Sequence, residues 1–144
     1  MTRSVDLDIL TPRLCQDPKP RVLSHFIVEG DPAPKQRPKF ARRGSKTITY
    51  TPQPTVDAEE MVRWAYKMAG GKKRPDPAAR YGLSLVLLQK GYARRDIDNM
   101  QKLIQDALNG WSWADDWQID EVIAQRRMGA KSNAMAEVLV YLLE

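Results

Sequence analysis

The chain has 144 residues, 42% of them hydrophobic, and 23 Lys+Arg against 18 Asp+Glu give it a net charge of +5. That suits one domain with a core of its own, and the basic balance is compatible with a polyanionic partner. A single cysteine (Cys15) excludes an intramolecular disulfide, a single histidine (His25) argues against a Cys/His zinc site, and no apolar stretch has the length of a membrane span or signal peptide, so a soluble, cytoplasmic protein is expected.

Residues 1 to about 20 end in QDPKP and read as a loose arm, leaving residues 21–144 as the folded domain. SHFIVEGDPAP predicts a short strand, roughly Ser24 to Glu29, stopped by Gly30 and two prolines. KQRPKFARRGSK then brings six cations (Lys35, Arg37, Lys39, Arg42, Arg43, Lys46) and no acid. Such a stretch is either a solubilising loop or a contact for a phosphate backbone. TITYTP suggests a second short strand, broken by Pro52 and Pro54. Thr55 is placed to N-cap a helix that runs to about Ala69 and is closed by Gly70 and Gly71. GKKRPDPAAR is a basic, proline-broken loop. YGLSLVLLQK is apolar on both faces, as a strand inside a sheet must be. A helix from about Ile97 to Asn109 follows, ended by Gly110, then the loop WSWADDWQ and strands near Glu121–Met128 and Ala136–Leu143, joined by a turn at GAKSN. This order predicts an α+β fold, a small mixed, mainly antiparallel sheet with two principal helices.

The charged start of the second helix, RRDIDNMQK, carries the chemistry. Met100, Leu103, Ile104, Ala107 and Leu108 recur at helical spacing and form one apolar stripe, with Asp98, Lys102 and Gln105 on the opposite side. One reading is a solvated helix face, with an Asp98–Lys102 pair worth a few tenths of a kcal/mol and the helix dipole favouring Asp98. The other is a ligand site. Asp96 ends a buried strand, Asp98 starts a helix, and a second acidic pair, Asp115–Asp116, follows in the next loop. Carboxylates without histidine are hard oxygen donors suited to Mg²⁺ or Mn²⁺, and Arg94, Arg95 and Lys102 would attract the phosphate such an ion serves. Taken alone, these residues leave both readings open.

RRDIDNMQKLIQDAL followed by WADDWQI closely resembles the signature of the RusA family of Holliday-junction resolvases, small endodeoxyribonucleases common in phages and prophages. The family pattern is a basic residue, D-[LI]-D-N-x-x-K on a helix, a DAL turn, and a second acidic pair followed by x-Q. GDPAPKQRPKFARRG and TYTP are similar to its N-terminal region, so the resemblance runs from about Phe26 to the C-terminus. It implies a homodimer of mixed α/β fold that cuts opposed strands of a four-way junction symmetrically. It also implies metal-binding carboxylates at Asp96, Asp98 and Asp116, an essential lysine at Lys102, and a lesser role for Asp115. Beside such a site, Lys35, Arg37, Lys39, Arg42, Arg43, Arg94 and Arg95 become the expected DNA contacts. Trp111, Trp113 and Trp117 are expected to pack in a core or interface rather than to stack on bases. Their loop and the C-terminal strand AEVLVYLLE are the candidate dimer elements. Three rivals stand beside this reading: a metal-dependent nuclease of flaps, forks or duplex, a phosphatase or nucleotide-sugar transferase with a DxD site, and a non-catalytic basic DNA-binding module.

Overall fold

The structure, a computed structural model, describes residues 12–73, 76–130 and 133–143. Most of the N-terminal arm (residues 1–11), Arg74 and Pro75 of the basic loop, and Lys131 and Ser132 of the last turn lie outside the described residues. In chain order the main elements are β1 (Arg21–Glu29), β2 (Lys39–Arg43), β3 (Lys46–Tyr50), α1 (Gln53–Met68), β4 (Arg80–Lys90), α2 (Ile97–Leu108), β5 (Ile119–Ala130) and β6 (Met135–Leu143).

Four strands form one sheet in the order β1-β6-β4-β5. The chain's two most apolar strands, β4 and β6, take its centre, because a central strand is covered on both faces. β6 runs antiparallel to β1 and β4, whereas β5 lies parallel to β4, with Tyr81 opposite Ile119. A parallel pair needs a crossover, and α2 supplies it. The helix therefore begins near the end of β4 and returns the chain to where β4 and β5 both start. The fold is α+β with a mixed, mainly antiparallel sheet, as predicted.

The core confirms the helical stripe. Met100, Leu103, Ile104, Ala107 and Leu108 of α2 and Val62, Ala65 and Tyr66 of α1 pack on Leu83, Leu85, Leu87, Val138 and Val140. On the other face, Val86, Leu139 and Tyr141 are also buried, and the Arg13 guanidinium lies 5.3 Å from the Tyr141 ring centroid. So the end of the expected arm, with its short 3-10 turn Pro12–Cys15, contacts the sheet. Gly82 pairs with Tyr141 across β4 and β6, and any Cβ at this position would collide with the tyrosine ring.

Two expectations are corrected. Thr55 does not cap α1. The helix starts at Gln53 with Pro52 at the cap and Pro54 in the first turn, where a missing N–H costs nothing. Thr55 is buried, and its Oγ accepts the Gln36 N–H at 3.1 Å. The cationic stretch is not all loop: Lys39–Arg43 pairs with Lys46–Tyr50 in a hairpin outside the main sheet. Gly44, at φ 63°, makes the tight reversal. The C-terminal strand β6 lies inside the sheet, bonded on both sides by β1 and β4. Among the described residues no helix is long and apolar enough to cross a membrane.

Candidate functional site

Asp96 sits at the N-cap position of α2 in an extended conformation, and its carbonyl accepts the Met100 N–H at 3.2 Å. Its carboxylate makes no cap bond and stands 3.5 Å from the Asn99 amide nitrogen. Asp98 follows in the first turn and is exposed. Two like charges are tolerated here because the helix N-terminus carries positive partial charge.

The start of this helix is laced to the chain after β1. Arg95 pairs with Asp31 at 2.7 Å and donates to the Pro32 carbonyl at 3.3 Å. Asp31 also accepts the Lys90 N–H at 2.9 Å, and the Lys35 N–H donates to the Asn99 carbonyl at 3.0 Å. Arg126 of β5 donates to the Arg95 carbonyl. The Arg95 guanidinium holds the Asp31 carboxyl below its ordinary value of 3.8. A depressed carboxyl stabilises the fold fully above its unfolded value and loses that contribution as pH falls through its folded value. Arg95→Met should therefore flatten the fall of melting temperature below about pH 4, a difference read from thermal melts along a pH series.

Lys102 pairs with Asp106 at 3.2 Å rather than with Asp98. Both acids lie four residues away, but Asp106 is the less solvated and so attracts a cation more strongly. Lys35 reaches the same carboxylate from its separate segment.

The second acidic pair is held by Gln118, which is fully buried. Its Oε1 accepts the N–H groups of Ala114 (2.8 Å) and Asp115 (3.0 Å), and its Nε2 donates to the carbonyls of Asp76 (2.6 Å) and Ala79 (2.9 Å). Asp115 is the N-cap residue of the short 3-10 turn Asp116–Gln118, and its carbonyl accepts the Gln118 N–H at 3.0 Å. Asp116 accepts the Trp113 indole N–H at 2.8 Å, and Trp113 is sealed in the core beside Tyr81. Gln118→Ala removes all four part-buried bonds and leaves their backbone groups without these partners. We expect it to cost about 3 kcal/mol, measured by chemical denaturation.

These anchors place Asp116 beyond the C-terminal end of α2, beside the start of β4, whereas Asp96 and Asp98 stand at the helix's N-terminus. With 12 residues, α2 keeps its two ends about 18 Å apart. Among the described residues no three His, Cys, Asp or Glu side chains come together to hold a metal ion. The chain thus brings Asp96, Asp98 and Lys102 to one helix and leaves Asp116 away from them.

Of the expected DNA contacts, Arg37, Lys39, Arg42, Arg43 and Arg94 are exposed, whereas Lys35 and Arg95 are engaged by Asp106 and Asp31. The hairpin also presents Phe40, 72% exposed. The tryptophans divide: Trp113 is core, Trp111 lies under Lys67 (4.1 Å), and Trp117 is 61% exposed beneath Arg80 (4.7 Å). The sequence reading passed over Asp31 and Asp106. Asp106 had a visible signal, its four-residue spacing from Lys102.

A sequence model of the family described as Endodeoxyribonuclease RusA matches residues 29–140. No curated protein matches the chain.

Proposed function

Because the chain belongs to the RusA endodeoxyribonuclease family, and is thereby a hydrolase acting on DNA, we propose that it resolves four-way junctions by paired, symmetric phosphodiester cleavage, as a Mg²⁺-dependent homodimer. The observation that carries this reading is the N-terminus of α2, where two exposed carboxylates stand on the helix that carries Lys102.

Asp96 and Asp98 are hard oxygen donors, and Mg²⁺ commonly takes one or two carboxylates together with substrate phosphate oxygens. When bound there, a divalent ion such as Mg²⁺ or Mn²⁺ supplies Lewis-acid stabilisation and a more acidic water. The chain's own residues do the rest. Asn99, 3.5 Å from Asp96, steadies that carboxylate. Lys102 places an ammonium group near the scissile phosphate, where it offsets charge that grows in the transition state. Arg37, Lys39, Arg42, Arg43 and Arg94 neutralise flanking phosphates. Arg95 reaches DNA only by leaving Asp31.

A set of three carboxylates requires Asp116, which its own protomer holds at the far end of α2. A two-fold related copy of the chain supplies it, the N-terminus of one α2 facing the acidic loop of the partner. Two such sites in one dimer suit two opposed strands of a junction. In this reading the protein acts in the cytoplasm of a bacterial host, encoded by that host or by a phage or prophage.

The test is cleavage of a mobile-core four-way junction, a fork and a linear duplex across a Mg²⁺ titration. Symmetric paired nicks in the junction are expected. Equal cutting of duplex would replace the junction reading with a general nuclease.

A further inference from the structure

The proposed chemistry leaves one carboxylate of α2 without a task. Asp106 lies two turns beyond Asp98 on the same helix face, and its side chain is 17% exposed. Two cations meet on it, Lys102 with Nζ 3.2 Å from Oδ1 and Lys35 on Oδ2. Lys35 comes from a distant segment whose backbone is tied to α2, its N–H bonded to the Asn99 carbonyl at 3.0 Å. A lone surface pair between neighbouring turns carries little weight. This one differs, because two ammonium groups that repel each other are held side by side by one carboxylate. The three side chains together carry a net positive charge, on the helix face that also carries Asp98.

We propose that Asp106 is a positioning residue that holds Lys35 and Lys102 as a two-ammonium cradle for a phosphate of the DNA backbone. The inference rests on α2 being the cleavage face. Free lysines must give up rotamer freedom when they grip a phosphate, and Asp106 has them ordered beforehand. Removing its charge has two opposed effects. The face gains one unit of positive charge, which strengthens binding to DNA and steepens its salt dependence. Lys102 loses its placement, which slows cleavage even when substrate is saturating. A residue that served only the fold would weaken both together.

The experiment measures single-turnover cleavage of a four-way junction at saturating enzyme and, separately, the Kd for that junction in EDTA across a salt series. Asp106→Asn should cleave roughly tenfold more slowly or worse, with an equal or lower Kd and a steeper salt slope. Asp106→Glu, which keeps the charge, should recover most of the rate. Lys35→Met should raise Kd instead. A wild-type cleavage rate for Asp106→Asn overturns the proposal, as does a rate and affinity that fall in step. Wild-type protein that cuts no DNA counts against the proposed function and not against Asp106. A second measurement needs no folded variant: amine acetylation of the wild-type protein should modify Lys35 and Lys102 more slowly than Lys39 and Lys46 of the exposed hairpin. Equal reactivity of the four overturns the cradle.

Discussion

Asp98→Asn is expected to cut a synthetic four-way junction roughly a hundredfold more slowly than the wild type, or worse, while shifting it on a gel at nearly the same protein concentration. The two halves of this result follow from separate observations. Among the described residues the Asp98 side chain makes no hydrogen bond or ion pair, so neutralising it disturbs no contact. Its one service to the fold is a charge at the positive end of a helix, worth about 0.3–1 kcal/mol. Melting temperature should barely move. The amide keeps the volume of the carboxylate but loses the anionic oxygen that a hard cation requires. Binding, driven by exposed cations, is left intact or slightly improved by the loss of a negative charge. Near wild-type cleavage by this variant would remove Asp98 from the metal set. A parallel loss of gel shift would point instead to a role in holding DNA.

What the sequence disclosed and what it hid divide by distance along the chain. The apolar stripe of α2 and the placement of Asp96, Asp98 and Lys102 depend on helical periodicity, which is local, and these were legible. The partner of Lys102 was not. Asp98 and Asp106 are both four residues away, and the choice depends partly on Lys35, 71 residues from Asp106. The hairpin was hidden by its own composition: cations fill Lys39–Arg43, no face alternates apolar and polar, and only Gly44 marked the reversal. The Thr55 error came from the preference of threonine for caps, overridden by two prolines that already started the helix. Asp116 was the largest gap. Its distance from Asp98 follows from β5 running parallel to β4, so that α2 must carry the chain to the opposite end of the sheet. Nothing in WADDWQI announces a parallel strand after it. The buried Gln118 could be quoted as part of a motif, but its four bonds, which hold the acidic loop in place, became visible only in the fold.

Mixing Asp98→Asn protein with Asp116→Asn protein, each inactive alone, is expected to restore nicking of the junction. If each site takes Asp96, Asp98 and Lys102 from one subunit and Asp116 from its partner, the mixed dimer gathers both substitutions into one site and leaves the other intact. If each site is built within one subunit, the mixed dimer carries one substitution in each site and stays inactive. The 12-residue length of α2 favours the first arrangement, since it separates the acids of one subunit by more than any metal can bridge. Random exchange of subunits makes half of the dimers mixed, with one live site in each, so nicking should return to roughly a quarter of the wild-type level. The product is diagnostic too. A mixed dimer cuts one strand and not its opposite, so single nicks should accumulate in place of resolved duplexes. Asp116→Asn keeps an oxygen to accept the Trp113 indole N–H, so the loop that carries it should stay folded. Silence from a mixture whose subunits have demonstrably exchanged would return Asp116 to its own subunit, and would then require the acidic loop to cross the length of α2 to meet Asp98.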